Sequence, residues 1–263
     1  MIDVVKFPGL GITLNVPQIA FSIFGINVRW YAVCIVLGIV VALVLSKISK
    51  EKFYIDFDQL LEIMIITLLF GVIGARIYYV IFNFSYYLEN PLEIINIKNG
   101  GLAIYGGIIA GAIVIIKMCE KYGINKLDFF DYIVPFVSIA QAIGRWGNFF
   151  NIEAFGTETT SIFRMGINTA QGYIEVHPTF LYECVACVCI YFILRKMQKN
   201  RKFAGEICFS YLALYSLARF FIEGLRQDSL MFIDIKVSQL VSAIIFIYSC
   251  YYLLKGLIKS RNR

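Results

Sequence analysis

Seven stretches of the chain read as apolar runs, each close to the twenty residues a helix needs to cross a bilayer. They cover roughly residues 28–46, 59–82, 101–119, 130–149, 178–194, 205–222 and 237–254. The connections are polar, and two of them, 83–100 and 151–177, are long. Loops of that length are often functional. The stretch up to Gln18 carries Lys6 and has no continuous apolar core before Ile19, unlike a cleaved signal peptide. The pattern predicts an all-α, polytopic membrane protein of about seven transmembrane helices. It reads as one domain over residues 1–263, without an internal repeat.

Basic residues fall on alternate connections. Lys47, Lys50 and Lys52 follow the first run, and Lys117, Lys121 and Lys126 lie around the end of the third. Arg195, Lys196, Lys199, Arg201 and Lys202 follow the fifth; Lys255, Lys259, Arg261 and Arg263 follow the last. These four groups hold 15 of the 24 Lys and Arg residues, which predicts an N-terminus outside and a C-terminus in the cytoplasm. An odd number of spans agrees with that.

Composition narrows the class further. Apolar residues make up 59% of the chain and charged ones 16%, against roughly 45–50% and 25% in soluble domains. A soluble core that apolar would leave almost no polar surface, so a soluble enzyme, a disordered chain and a disulfide scaffold are excluded. The net charge of +6 comes mostly from short clusters between apolar runs, without aromatic interleaving, so no nucleic-acid partner is expected. Seven cysteines are scattered, and Cys184, Cys187 and Cys189 have no histidine partners nearby in sequence. They read as small buried hydrophobes, and no metal site is expected.

A charge at the centre of a membrane helix costs about 2.5–3.5 kcal/mol, so the runs that carry one are informative. In the fourth run Ser138, Gln141, Arg145 and Asn148 are spaced 3, 4 and 3 and share one helical face. That stripe reads either as a cavity for an anion or polar headgroup, or as a buried hydrogen-bond ladder. In the sixth, Tyr215, Arg219, Glu223 and Arg226 form a second polar face, with Arg219 and Glu223 within reach across one turn. Two arginine faces favour phosphate, whose oxygens match the guanidinium fork. Arg76, after Gly71 and Gly74, either snorkels to the interface or joins the arginine cluster. Gly106, Gly107 and Gly111, beside Tyr105, point to close backbone approach. His177, before Pro178, reads as a helix-end cap or as a catalyst. The chain has no HExxH, GxSxG or P-loop motif.

The segment Gly144-Arg145-Trp146-Gly147-Asn148-Phe149-Phe150-Asn151-Ile152-Glu153-Ala154-Phe155-Gly156 resembles the signature of the prolipoprotein diacylglyceryl transferase family, G-R-x-G-N-F-x-N-x-E-x-aromatic-G. Supporting blocks occur in order. They are Arg29-Trp30-Tyr31, Gly100-Gly101-Leu102 with Gly106-Gly107, His177-Pro178 through Tyr182-Glu183, and Tyr215 through Arg219, Glu223 and Arg226-Gln227. The resemblance implies that a diacylglyceryl group moves from phosphatidylglycerol to the lipobox cysteine of a preprolipoprotein in the bacterial cytoplasmic membrane. A thioether forms and glycerol phosphate leaves, with no metal or organic cofactor.

The residues carried over are Tyr31, Arg145, Asn148, Glu153, Gly156, Tyr215, Arg219 and Glu223. The third-run motif, with Gly106 and Gly107, departs at Tyr105, where well-known members carry histidine. A cysteine thiol has a pKa of about 8.5 and needs little activation. The larger task is neutralising the leaving phosphate, for which Arg145 and Arg219 are the candidates. Glu223 would fix Arg219, and Asn148 and Tyr31 would orient the headgroup or the phosphate by hydrogen bonds. Tyr105 could assist the thiol, although an ordinary tyrosine pKa of about 10 makes it a weak base at neutral pH. The competing reading, a transporter or channel for an anionic metabolite, would call for an internal repeat that is not seen.

Overall fold

The computed structural model describes residues 2–49, 53, 55–96, 100–170, 172–227, 231–233 and 235–261. Of the basic loop residues, Lys50, Lys52 and Arg263 lie outside the described residues, as do 97–99 and 171 of the two long connections. The helices are α1 (Trp30–Ile48), α2 (Phe57–Phe82), the short α3 (Phe84–Glu89), α4 (Ile104–Tyr122), α5 (Lys126–Asn151), α6 (Thr179–Gln198), α7 (Glu206–Leu225) and α8 (Val237–Arg261). Apart from α3, each coincides with one apolar run. Among the described residues five of them, α1, α2, α5, α7 and α8, are long and apolar enough to cross a membrane. The other two carry three charges each: Lys117, Glu120 and Lys121 on α4, and Glu183, Arg195 and Lys196 on α6. The protein is a multi-pass, mostly helical membrane protein.

The all-α expectation needs correction, because the N-terminal region and two of the connections contain strands. These are β1 (Ile2–Phe7), β2 (Ile12–Pro17), β3 (Ile19–Ile23), β4 (Ile26–Arg29), β5 (Met165–Thr169), β6 (Gly172–Val176), β7 (Met231–Phe232) and β8 (Ile235–Lys236). Gly11 and Gly25 supply the positive φ, +66° and +79°, that tight reversals require. An apolar-run search misses such strands because they bury only alternate side chains.

The chain divides into two compact units, Met1–Glu51 with Phe130–Arg263, and Lys52–Phe129. In the first, an antiparallel sheet of order β2-β1-β5-β6 joins the N-terminal strands to the long connection before α6. Val5, Val16, Met165, Ile167 and Val176 are buried against Phe149 of α5 and Phe180 of α6. The sheet therefore seats the end of α5 beside the start of α6. Helix α1 approaches α5 closely at Gly38, where an added Cβ would lie 2.8 Å from the Ala140 carbonyl oxygen. The buried Asp131 carboxylate of α5 accepts from the backbone N–H of Gly205 and of Cys208, each at 2.7 Å, and from Arg201 Nε at 2.6 Å. It thereby caps the α7 N-terminus, where helix N–H groups lack partners.

In the second unit α2 packs on α4 through small residues. A side chain at Gly106 would overlap the Gly74 backbone and Tyr78. Arg76 neither snorkels nor joins an arginine cluster. Its guanidinium donates to five backbone carbonyls, those of Glu93, Ile94, Asn96, Gly100 and Gly101. Its charge also sits 5.3 Å from the Tyr87 ring centre. Gly100 and Gly101 have φ of +89° and +77°, and a Cβ at Gly101 would overlap Arg76. The Gly100-Gly101 pair is thus the mould that lets the carbonyls converge.

Candidate active site

The centre of the site is a carboxylate on α6. Glu183 has a side chain only 4% exposed and receives an arginine from each neighbouring helix. Arg145 of α5 binds Glu183 Oε1 at 2.7 Å, and Arg219 of α7 binds Oε2 at 2.9 Å. The Tyr215 hydroxyl donates to Oε1 at 2.8 Å. Arg219 extends a second nitrogen to Glu223 Oε2 at 2.6 Å, the pairing expected from their i, i+4 spacing. Arg226 Nε stands 3.9 Å from the same oxygen. Arg145, Arg219 and Arg226 thus gather on two buried carboxylates, Glu183 and Glu223. A guanidinium charge there is poorly screened and attracts an anion strongly.

The polar stripe on α5 divides in two. Toward its middle it is a hydrogen-bond ladder: Ser138 Oγ donates to the Cys187 carbonyl at 2.7 Å, and Gln141 Oε1 accepts from the Tyr211 hydroxyl at 2.6 Å. Toward its end it becomes ionic, where Arg145 donates to Asn148 Oδ1 at 3.2 Å and Asn148 Nδ2 donates to Glu153 Oε1 at 2.8 Å.

The turn after α5 places Glu153. Ile152 and Ala154 adopt φ of +50° and +57°. For a side-chain-bearing residue that region costs roughly 1–2 kcal/mol. The Glu153 N–H donates to the Asn148 carbonyl at 3.1 Å, and the Thr179 hydroxyl bonds the Ala154 carbonyl. Tertiary contacts therefore hold a turn that local preference opposes.

Gly156 has a structural part. Its N–H donates to the His177 carbonyl at 2.9 Å, and the next N–H, of Thr157, donates to the Leu225 carbonyl at 2.7 Å. A Cβ on Gly156 would lie 2.7 Å from His177 Cβ and 3.0 Å from the Leu225 oxygen. Glycine alone lets the chain thread between the start of α6 and the end of α7. The Tyr31 ring lies on Gly147, where a Cβ would stand 2.8 Å from Tyr31 Cδ2. The neighbouring Trp30 stacks on Phe150 at 5.1 Å. His177 is half-buried, and its Nδ1 is 3.1 Å from the Tyr182 hydroxyl.

The structure thus brings Arg145, Asn148, Glu153, Tyr215, Arg219 and Glu223 into one network, with Gly156 and Tyr31 supporting it. Tyr105, Gly106 and Gly107 belong to the second unit, on α4, where Tyr105 is 48% exposed. Sequence reasoning assigned no role to Glu183, although a lone carboxylate in an apolar run was the signal. Nor did it find Lys236, whose ammonium caps the end of α7 by donating to the carbonyls of Glu223, Gly224 and Arg226 at 2.9, 3.0 and 2.6 Å. Among the described residues no group of three or more His, Cys, Asp or Glu side chains could hold a metal ion.

Comparison with known proteins agrees with the local motif. The family described as prolipoprotein diacylglyceryl transferase matches residues 18–255. A relative from Finegoldia magna is 45% identical over 232 residues, 88% of this chain and 92% of its own. One from Clostridium novyi is 42% identical over 251 residues, 93% and 97% of the two chains. One from Staphylococcus aureus is 41% identical over 250 residues, 91% and 89%. Each of the three is named a phosphatidylglycerol–prolipoprotein diacylglyceryl transferase.

Proposed function

The chain belongs to the prolipoprotein diacylglyceryl transferase family, and from that premise we propose how its residues carry out the reaction. The enzyme transfers the diacylglyceryl group of phosphatidylglycerol to the lipobox cysteine of preprolipoproteins, the first step of lipoprotein maturation. A C–S bond forms at the glyceryl carbon as the C–O bond to phosphate breaks, glycerol phosphate leaves with the electron pair, and the proton lost by the substrate thiol is balanced by the phosphate monoester released.

One observation carries the assignment of roles: Arg145 and Arg219, from different helices, are held on the two oxygens of Glu183. That arrangement fixes both guanidinium groups before substrate arrives, so no reorganisation is needed as charge develops on the leaving phosphate. Arg145 and Arg219 neutralise the phosphate. Glu223 and Tyr215 position Arg219 and Glu183, and Asn148 with Glu153 bonds the headgroup hydroxyls. Tyr31 supports the turn of α5 that carries Arg145 and Asn148. Tyr105, flanked by Gly106 and Gly107, is the candidate to assist the thiol, and Tyr105→Phe is expected to lose more activity than His177→Gln. The substrates are the lipid and the signal peptide of the preprolipoprotein, with no nucleic acid.

Residues 1–263 act as one integral transferase domain in the bacterial cytoplasmic membrane, spanning it seven times with an outside N-terminus and a cytoplasmic C-terminus. Reporters fused after Lys202 should read cytoplasmic and those within 151–177 external; the reverse would reject this topology. The deciding assay combines purified protein, labelled phosphatidylglycerol and a lipobox peptide. Thioether product is expected, whereas flux of an anion across vesicles without product would indicate a transporter.

A further inference from the structure

A second basic site lies far from the arginine cluster, where the loop before α7 meets the end of α8. A cavity of about 610 Å³ opens there, lined by Lys202, Phe203, Tyr248, Tyr252, Lys255 and Lys259 among others. Its walls are ordered. The Tyr252 hydroxyl donates to the Ala204 carbonyl at 3.1 Å, and its ring stacks on Phe209 at 3.8 Å. Phe203 lies over Gly256, where any side chain would overlap its ring.

The charge of this groove is one-sided. Among the described residues no carboxylate lines it, and the three lysine ammonium groups are in no ion pair. The nearby acids are engaged elsewhere: Asp131 with Arg201 and the α7 N-terminus, Glu206 with the Lys202 backbone N–H at 2.5 Å. Along α8, Tyr248, Tyr251 and Tyr252 precede Lys255 and Lys259, the order of an aromatic belt giving way to a charged interface. Lysines and aromatic rings lining one groove suit an amphiphile with an anionic head better than a bare anion. The volume is that of a small-molecule site.

We propose that this groove binds an anionic phospholipid that does not react, its phosphate held by Lys202, Lys255 and Lys259 and its glycerol backbone lying on Phe203 and Tyr252. Thirteen residues of α7 separate Glu206 from Arg219, about 20 Å along the helix axis, so the groove is not the reaction centre. The inference rests on the membrane setting of the chain and not on the transfer chemistry.

The test is a lipid titration of the full chain in neutral detergent, followed by native mass spectrometry and, in parallel, by thioether turnover. Two tight phosphatidylglycerol adducts are expected, against weak binding of phosphatidylcholine. Each lysine near a headgroup contributes roughly fivefold, so the triple Lys→Gln variant should bind its second adduct about a hundredfold more weakly. Its turnover should be unchanged, and the triple Lys→Arg variant should keep both adducts. Equal retention by the Gln variant would overturn the proposal. In the unsubstituted protein, so would equally tight phosphatidylcholine, or displacement of the second adduct by millimolar inorganic phosphate. Lost turnover with adducts intact would count against the transferase mechanism alone.

Discussion

Replacing Glu183 by glutamine probes the point on which the site depends. The carboxylate accepts from Arg145 at 2.7 Å, Arg219 at 2.9 Å and Tyr215 at 2.8 Å while only 4% exposed. A carboxamide of the same shape offers one acceptor oxygen and turns an NH2 group toward a guanidinium that also has only donors. Removing one partner of a buried ion pair costs about 3–5 kcal/mol, because the other charge is left uncompensated. The two arginines would move apart to recover solvent or other acceptors, and a displacement of about 1 Å is enough to slow turnover roughly a hundredfold. The substitution also removes one negative charge from the cluster, so attraction for an anionic lipid is not lost. The expected signature is therefore a kcat about a hundredfold lower with KM for phosphatidylglycerol unchanged or reduced. Steady-state transfer of labelled diacylglyceryl to a lipobox peptide measures both. Combining Glu183→Gln with Arg145→Gln should cost less than the sum of the single losses, since the second change removes one of the stranded charges. A folded Glu183→Gln enzyme with near-normal kcat, or additive losses in the double variant, would refute the reasoning.

Arg145→Lys and Arg219→Lys keep the charge but lose the planar fork, and each should lower turnover about 100–1000-fold with protein still present in the membrane; near-normal rates in both would place phosphate handling elsewhere. Arg76→Lys should act on stability. A single ammonium cannot reach five carbonyls, and each one left unsatisfied costs about 1–3 kcal/mol, so a clear drop in thermal midpoint is expected and an unchanged midpoint would contradict the assigned role. The seven cysteines have no disulfide partner, and the attacking thiol belongs to the substrate. Replacing all seven with alanine or serine should leave a large part of the turnover, whereas rescue of a dead but folded variant by restoring one cysteine would indicate a covalent enzyme intermediate.

The helices were legible because apolar length is a strong, local signal. The run at 59–82 is found as Phe57–Phe82, and the run at 205–222 as Glu206–Leu225. The Arg219–Glu223 pair was legible too, since helical spacing brings i and i+4 together. Glu183 was not, because its partner Arg219 lies 36 residues away and no local pattern encodes that meeting. Arg76 was misleading: it read either as a snorkelling charge or as a member of the arginine cluster, and it is neither. Its use as a donor to carbonyls becomes visible only with the positive φ of Gly100 and Gly101. The strands were overlooked because their alternation is short and sits in polar connections, where the eye searching for spans reads only loop. Gly156 was carried over only as part of a binding motif, and the steric reason for glycine there, with the His177 and Leu225 atoms crowding its Cα, is visible in the fold alone.

The pairing of Lys6 with Gly166 in the sheet has a consequence for biogenesis. Strand β1 cannot acquire its inner neighbour until some 160 residues later in synthesis. At about 5–20 residues per second that is a wait of roughly 8–30 s. During this interval α1 to α5 are made, while the β1–β2 hairpin stands with one edge open to any passing strand. The seat for the end of α5 and the start of α6 closes only when β5 arrives, so the arginine cluster is among the last features of the enzyme to mature. A chain stalled before residue 165 would hold its helices in the bilayer with no assembled site, and its open hairpin edge would be the mark by which quality control could tell the unfinished protein from the finished one.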